Sequence, residues 1–591
     1  MKRHCLVFLF CCAAATAQPS VHYSLSMPQP WNHLFIVEMT ISGIHSSGID
    51  VSMAAWRTGR YMILDFSGEV QEFSVHDADR HTLPFSKTDK DTWHIANGRN
   101  ETIIVSYKVY ANEKNLRTRE LNSDHAFIDP SAIFLYVDPE ENTPVSLTIH
   151  PYGSWHVTTG MKESPDAKNT FTAPNFQYLI DSPIEIGNQK DYEFWVENKK
   201  HIISIYGDGN WNSDTLIQDF TKLIIANKEF WGALPYDTYI FILHCQPNAG
   251  GATEHINSAV IGTRPFVFAH KDSYQRFLDL VSHEYFHTWN VKQLRPKAIA
   301  PYDLSKEAYT KELWISEGMT DYYGKLMLVD AGLMTAPSFI NSIPAMISSD
   351  RSRYGNTIQP LSESSFDAWV KFWKGLQNSY NAQSDYYGKG DAVSLLLDLE
   401  IRHRTHNNAS LHTVMKNLYH HYSPTHGFTN EDFIAECEQV SGTKFTQFFQ
   451  KYLYGTAPLP WEEILAYAGL EVRLKDSSGH VGIGVFFSRR NQNTSIRNII
   501  PGSPADSGHL EVQDEIIALN GFRISPSDLD DRIADMAAGD TVTLSIFRND
   551  KLLNVPIVLA SLPSTAYTIK KTEKPSALQK AIYESWMHEP F

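Results

Sequence analysis

From about Tyr23 to Val196 the apolar positions fall in short runs of alternating or β-branched residues, such as His33 to Ile41, Glu101 to Tyr110 and Ala132 to Val137. Each run is cut by Gly, Asn, Asp or Pro. A period of two between turn residues predicts antiparallel strands, so 18–196 is expected to be a β-rich, sandwich-like domain. After about Tyr206 the period lengthens. Ser213 to Trp231 reads as an amphipathic helix and Thr238 to His244 as a strand; helical patterns follow over Ser273 to Trp289, Lys311 to Ala331, Asp391 to His403 and Asn430 to Ser441. The expected middle domain is therefore mainly helical, 197–458, and ends in the turn-rich Gly455-Thr-Ala-Pro-Leu-Pro460 linker. Strands with one helix return over 461–560, and 561–591 reads as a loosely structured tail. The fold class is a multidomain α+β chain, and 591 residues with 42% hydrophobic positions suffice for several cores.

The start of the chain changes the picture of where it works. Met1-Lys-Arg-His4, an apolar stretch from Cys5 to Ala15, and Ala15-Thr-Ala17 before Gln18 form a signal-peptide pattern over 1–17, with cleavage expected after Ala17. The stretch is short for a bilayer, and no other apolar run approaches that length, so the mature chain is expected to lack an integral span and to be secreted or periplasmic. Three of five cysteines lie in this leader; Cys245 and Cys437 remain, too few for a disulfide scaffold, and whether they pair is open. A net charge of −16 without a basic block argues against nucleic acid as a partner.

Candidate chemistry begins at His283-Glu284-Tyr-Phe-His287, inside a helical pattern. Histidines four apart share a helix face and can converge on one zinc ion, while Glu284 can take a proton from a water that zinc has acidified. Alone, such a motif arises by chance in roughly one chain of this composition in twenty. The downstream helix Trp314-Ile-Ser-Glu317-Gly-Met-Thr-Asp321 makes coincidence far less tenable. Glu317 can supply the third ligand, leaving one position open, and Asp321, one turn on, can accept the free ring N–H of a ligand histidine.

With these residues in hand, the sequence resembles thermolysin-like metallopeptidases, and most of all the glycyl aminopeptidase family, whose members carry a β-rich N-terminal domain, a thermolysin-like catalytic domain and a C-terminal PDZ domain. The resemblance spans nearly the whole mature chain and is strongest over His283 to Asn290, Trp314 to Asp321 and Gly250-Gly251-Ala-Thr-Glu254-His255. It implies that Gly250 and Gly251 let backbone approach the substrate and that Glu254 binds a free α-amino group, although the Gly-to-Glu spacing departs from the usual shorter one. Tyr387, in Tyr386-Tyr387-Gly-Lys-Gly390, resembles the tyrosine whose hydroxyl supports the oxyanion, with Tyr386 its adjacent competitor. A preference for small N-terminal residues, Gly or Ala, is implied by the resemblance alone.

Asn498-Ile-Ile-Pro-Gly502-Ser-Pro504 through Asn520-Gly521 resembles a PDZ core, and Gly482-Ile483-Gly484 its carboxylate-holding loop, so a peptide C-terminus is a candidate partner there. The expected protein is an aminopeptidase using one zinc ion and acting on peptides. Its rivals are an endopeptidase of the same fold and a peptide-binding scaffold with an inert peptidase domain.

Overall fold

A computed structural model describes residues 20–98, 100–113, 118–137, 143–475, 479–488 and 495–591. The expected leader, its cleavage site and Cys5, Cys11 and Cys12 lie outside the described residues. The chain divides into two compact units: residues up to Arg57 with Leu64–Lys190, and Thr58–Ile63 with Asp191–Phe591.

The first unit is built from sheets. Its seven-stranded sheet pairs Ser20–Ser26 antiparallel with Leu34–Ser42 and parallel with Val145–His150. Leu34–Ser42 shows why period-two patterning was legible: Phe35, Val37, Met39 and Ile41 are buried and the intervening residues are not. Two four-stranded sheets complete the unit. Where Ala132 to Val137 suggested one strand, a 3-10 turn at Pro130–Ala132 precedes a two-residue strand, Leu135–Tyr136, because Pro130 and the Asp129 cap favour the turn.

The second unit starts from a five-stranded sheet of β1 (Lys190–Val196), β2 (Lys199–Gly207), β3 (Thr238–Cys245), β4 (Ala252–Glu254) and β5 (Ser258–Thr263), in the order β1-β2-β3-β5-β4. Strands β2, β3 and β5 are parallel, and Tyr239 to Cys245 is buried without alternation, as a parallel strand covered on both faces requires. Helix α1 (Ser213–Trp231) crosses from β2 to β3; Asn212 caps it and Gly232 ends it in the left-handed region. Helices α2 (Lys271–Phe286), α3 (Met319–Asp330), α4 (Ile343–Ser352) and α5 (Gly388–Arg404) pack beyond the sheet, with α5 at the centre, buried from Lys389 through Ile401. Asn430–Ser441 is helical as read, and it holds buried Cys437, while buried Cys245 ends β3.

Strands from Val485 to Val558 form the PDZ sheet around a core that includes Ile483, Ile496, Ile516, Leu544 and Ile557. The last residues differ from the loose tail expected of them. Tyr567–Lys571 pairs antiparallel with Leu470–Leu474, and Ala577–Met587 forms helix α6, whose Ile582, Tyr583, Trp586 and Met587 are buried. Among the described residues no helix is long and apolar enough to cross a membrane.

Candidate active site

Helix α2 carries His283 and ends in His287, its C-cap residue one turn on, and Gly324 on α3 lets the two helices close. A Cβ there would stand 3.2 Å from the His283 backbone, and Ser282 Oγ donates to the Gly324 carbonyl at 2.6 Å. Glu317 does not lie in a regular α-helix. Trp314–Gly318 is a π turn that runs into α3, a departure from the continuous helix read over Lys311 to Ala331 and one that recurs at functional sites. The result is that Glu317 Oε2 lies 3.3 Å from His287 Nε2 and 3.7 Å from His283 Nε2, while the two Nε2 atoms are 3.0 Å apart.

These separations test whether zinc fits. Donors about 2.1 Å from a tetrahedral ion stand about 3.4 Å from one another, within about 0.4 Å of all three values. His283 Nδ1 donates to Asp321 Oδ1 at 2.9 Å and His287 Nδ1 to the Asn290 carbonyl at 2.9 Å. Those acceptors put the ring protons on Nδ1, so two bare Nε2 lone pairs face each other, an arrangement that a cation between them makes favourable. The donor set, two imidazoles and a carboxylate, is a zinc set. Asn290 also ties the helices together through its Nδ2, which donates to the Ile315 carbonyl at 2.8 Å and to Thr320 Oγ1 at 2.9 Å.

Charges at the site follow from burial. Burial pushes the Glu284 carboxyl up to about 7, with Glu254 and Glu317 adding to the rise and His283 and His287 opposing it. Burial acts upward on Glu317 too, but the two histidines hold it down at about 2, so it is an anion when it meets a metal. Burial, then the nearby Glu317 charge, keeps the Tyr387 phenol well above its ordinary range, a hydrogen-bond donor at any physiological pH.

Glu254 stands on β4, the edge strand, and the ligand-type atoms of Glu254, Glu284 and His287 lie within 4.8 Å of one another. Its Oε1 is buried without a hydrogen-bond partner among the described residues. Gly250 and Gly251 precede β4 in an exposed loop; nothing crowds a Cβ at Gly250, and Gly251, with φ 78°, accepts from Gly262 N at 2.9 Å. Tyr387 begins α5, its N–H donating to Asp385 Oδ1 at 3.0 Å and its ring 6.5 Å from that of His283. Tyr386 is fully buried and its hydroxyl accepts from Trp373 Nε1 at 3.0 Å, which leaves Tyr387 the tyrosine beside the ligands. Glycines bring α5 in: a Cβ on Gly318 would fall 2.5 Å from Gly390 Cα.

Two parts of the site escaped the sequence. Thr58–Ile63, flanked in sequence by the first unit, belongs with the catalytic unit, and a Cβ on Gly59 would lie 2.5 Å from Glu254 Oε2. Buried Tyr61 packs on Trp369 at 5.9 Å and lies in the field of Glu317 and Glu254. The other part is Lys292. Helix α2 stops at Phe286, short of Trp289, and the chain turns through Val291, whose φ of 101° is strained for a β-branched residue. That turn buries the Lys292 ammonium 3.9 Å from Glu254 Oε1 and 3.1 Å from Thr58 Oγ1. A lysine just past His287 was the only signal available.

In the PDZ region Gly484 has φ 77° and its carbonyl accepts from Ile500 N at 2.9 Å; Ile483 is buried, its carbonyl accepting from Ala505 N; and Gly482 ends a short strand. Strand Val485–Ser488 is a sheet edge.

Comparison with known proteins agrees with this geometry. Residues 22–188 match the peptidase M61 N-terminal domain, 276–393 the M61 glycyl aminopeptidase domain and 481–559 a PDZ domain. No curated protein matches the sequence. Among solved structures, an aminopeptidase N family protein from Idiomarina loihiensis superposes with a TM-score of 0.89 at 28% identity, over 95% of this chain and 100% of that one. An M1 zinc metallopeptidase from Deinococcus radiodurans aligns over 75% of this chain and 94% of its own, at 13% identity and a TM-score of 0.48, too remote to bear on function. By its N-terminal, catalytic and PDZ domains the chain belongs to the M61 glycyl aminopeptidase family, and it is a zinc aminopeptidase.

Proposed function

We propose that the protein removes small residues, Gly or Ala, from the N-termini of peptides, with one zinc ion held by His283, His287 and Glu317. The observation that carries the reading is the closeness of Glu254, Glu284 and His287, whose ligand-type atoms lie within 4.8 Å of one another. A carboxylate that near the reacting centre suits a substrate whose α-ammonium is adjacent to the scissile carbonyl, and Glu254 Oε1, with no hydrogen-bond partner among the described residues and the Lys292 ammonium no nearer than 3.9 Å, is an acceptor for it. Bound zinc supplies Lewis acidity to the carbonyl and to water. Glu284 takes the proton from the attacking water and delivers it to the leaving amine. The Tyr387 hydroxyl donates to the carbonyl oxygen as negative charge develops, a contribution often near ~3 kcal/mol. Asp321 holds His283 in its Nδ1–H tautomer.

Support for small side chains comes from the enclosure: Tyr61, Tyr386 and Trp369 are buried, and Phe372 stacks on Tyr387 at 5.5 Å. The leader reading makes the mature protein secreted or periplasmic with Gln18 as its first residue, which N-terminal sequencing of the exported chain checks. The Gly482-Ile483-Gly484 loop and the open edge of Val485–Ser488 support capture of a peptide C-terminus.

The deciding experiment profiles hydrolysis of short peptides that differ in the first residue, each free and N-acetylated, with Glu284→Gln as the blank. Free Gly- and Ala-peptides are expected to be cleaved, and acetylation to reduce cleavage about 100-fold. Equal cutting of acetylated peptides would make the enzyme an endopeptidase, and a flat profile would remove the small-residue preference. Metal analysis is expected to give one zinc per chain.

A further inference from the structure

Beside the site, but not part of it, is a cavity of about 240 Å³ lined by Lys325, Asp350, Arg353, Asp385, Lys389 and Asp391. Three cations and three carboxylates make it neutral, and their pairing inside the protein is incomplete. Lys325 Nζ donates to Asp391 Oδ2 at 2.6 Å. Asp350 is satisfied, accepting from Trp461 Nε1 at 2.9 Å and Asn356 Nδ2 at 3.1 Å. Asp385 accepts the Tyr387 N–H at 3.0 Å and meets the Arg353 guanidinium only at 3.7 Å. Two groups are left over. Among the described residues Asp391, 5% exposed, has no hydrogen-bond partner for Oδ1, and Lys389, 3% exposed, has as its one acceptor the Asn356 carbonyl at 3.5 Å.

A buried carboxylate oxygen and a buried ammonium left this way are destabilising until a partner reaches them. The room available exceeds what a bridging water needs. A ligand that satisfies both must carry an anionic acceptor for Lys389 and a cationic donor for Asp391 within a few bonds. A lone anion leaves Asp391 unpaired and meets Asp350 and Asp385; a lone cation meets Lys325, Lys389 and Arg353.

We propose that this cavity is a binding site for a small zwitterion of the α-amino-acid class, its carboxylate toward Lys389 and Arg353 and its ammonium toward Asp391. The site is distinct from the catalytic centre. It is coupled to it through two groups: Asp385, which also accepts the Tyr387 N–H, and Asp321, the partner of His283, whose charge acts on Lys325, Asp385 and Asp391. The ligand class includes the free amino acid that the proposed peptidase reaction releases, but the binding argument does not depend on that reaction.

Calorimetric titration of the zinc-loaded, full-length enzyme with glycine tests the proposal, with methylamine and acetate as probes bearing one charge each. Because glycine can also enter the catalytic site through Glu254, the titration is run in Glu254→Gln and in Ala345→Trp. Ala345 is an exposed residue of α4 lining the cavity, so its replacement blocks the space without disturbing the core. Glu254→Gln is expected to retain glycine binding, the further change Ala345→Trp to weaken it about ten-fold or more, and each single-charge probe to bind about ten-fold more weakly than glycine. Lys389→Met is expected to match Ala345→Trp. Loss of all binding in Glu254→Gln with none lost in Ala345→Trp would put glycine in the catalytic site and overturn the proposal. Acetate binding as tightly as glycine would overturn it equally, by making the cavity an anion site.

Discussion

Glu254 is held by backbone as well as by charge, and that makes Gly59 a sensitive residue. With φ 78° and a Cβ position 2.5 Å from Glu254 Oε2, Gly59 allows the carboxylate to lie flat against the chain. Gly59→Ala adds left-handed strain and pushes the carboxylate from its place. A charge-assisted hydrogen bond is worth about 1.5–3 kcal/mol, so kcat/KM for free-amine peptides is expected to fall about 10- to 100-fold, chiefly through KM, while the zinc content is unchanged. Steady-state kinetics beside metal analysis reads this, and an unchanged KM would show that Gly59 does not support the amine site. None of this was visible in the sequence, because Gly59 and Glu254 are far apart along the chain and no local pattern links them. The residues that were legible, His283, Glu284, His287, Glu317 and Asp321, are those whose roles depend on spacing within one or two helical turns.

At the scale of elements, the difference between legible and illegible lies in punctuation. Helix α1 begins and ends where it was read because Asn212 and Gly232 mark both ends. Helix α2 was read three residues too long because Asn290, which stops it, works through its contacts to Ile315 and Thr320. Pairing across strands is equally hidden, and it carries a consequence in the first unit. His125, on strand His125–Ile128, is fully buried with Nδ1 2.8 Å from Glu185 on the paired strand Ile184–Gly187 and Nε2 3.7 Å from Glu120. Burial would lower its pKa, but the two carboxylates outweigh it and raise the value to about 9. A histidine raised in the folded state contributes stability that is complete below its unfolded value near 6.5 and is lost as pH rises through 9. The loss amounts to about 3 kcal/mol. Protection of the 125–128 and 184–187 amides against hydrogen exchange, corrected for the intrinsic rate, is expected to decline across that range, and His125→Gln to flatten the decline. A slope that persists in the variant would assign the effect to other groups.

Across the whole molecule, the end of the chain reads as loose because it is short and its partners are distant, yet it closes on the helix that follows Glu317. Trp586 is fully buried, donates from Nε1 to the Tyr322 hydroxyl at 2.9 Å and packs edge-on against Phe339 at 5.5 Å. Tyr322 in turn donates to Asp398 Oδ2 at 2.7 Å, and Asp398 also accepts from Leu411 N and Arg402 Nε, so α3, α5 and α6 share one buried network. His588 adds a 3.0 Å pair with Asp330 at the end of α3. Removing a buried tryptophan costs about 3–5 kcal/mol, and here it also strips Tyr322 of a donor. Trp586→Ala is therefore expected to lower the unfolding free energy read from denaturant titration by that amount, and Trp586→Phe, which keeps most of the packing, to lose about 1 kcal/mol. Because α3 continues directly from the π turn bearing Glu317 and carries Asp321, loosening it acts on the metal. Trp586→Ala is expected to release zinc to a chelator faster than the parent protein under conditions where both are folded. If a chain lacking 577–591 unfolds at the parent midpoint and holds zinc as long, α6 is a passenger; if both fall together, the last helix of the chain is part of what keeps the ligands in place.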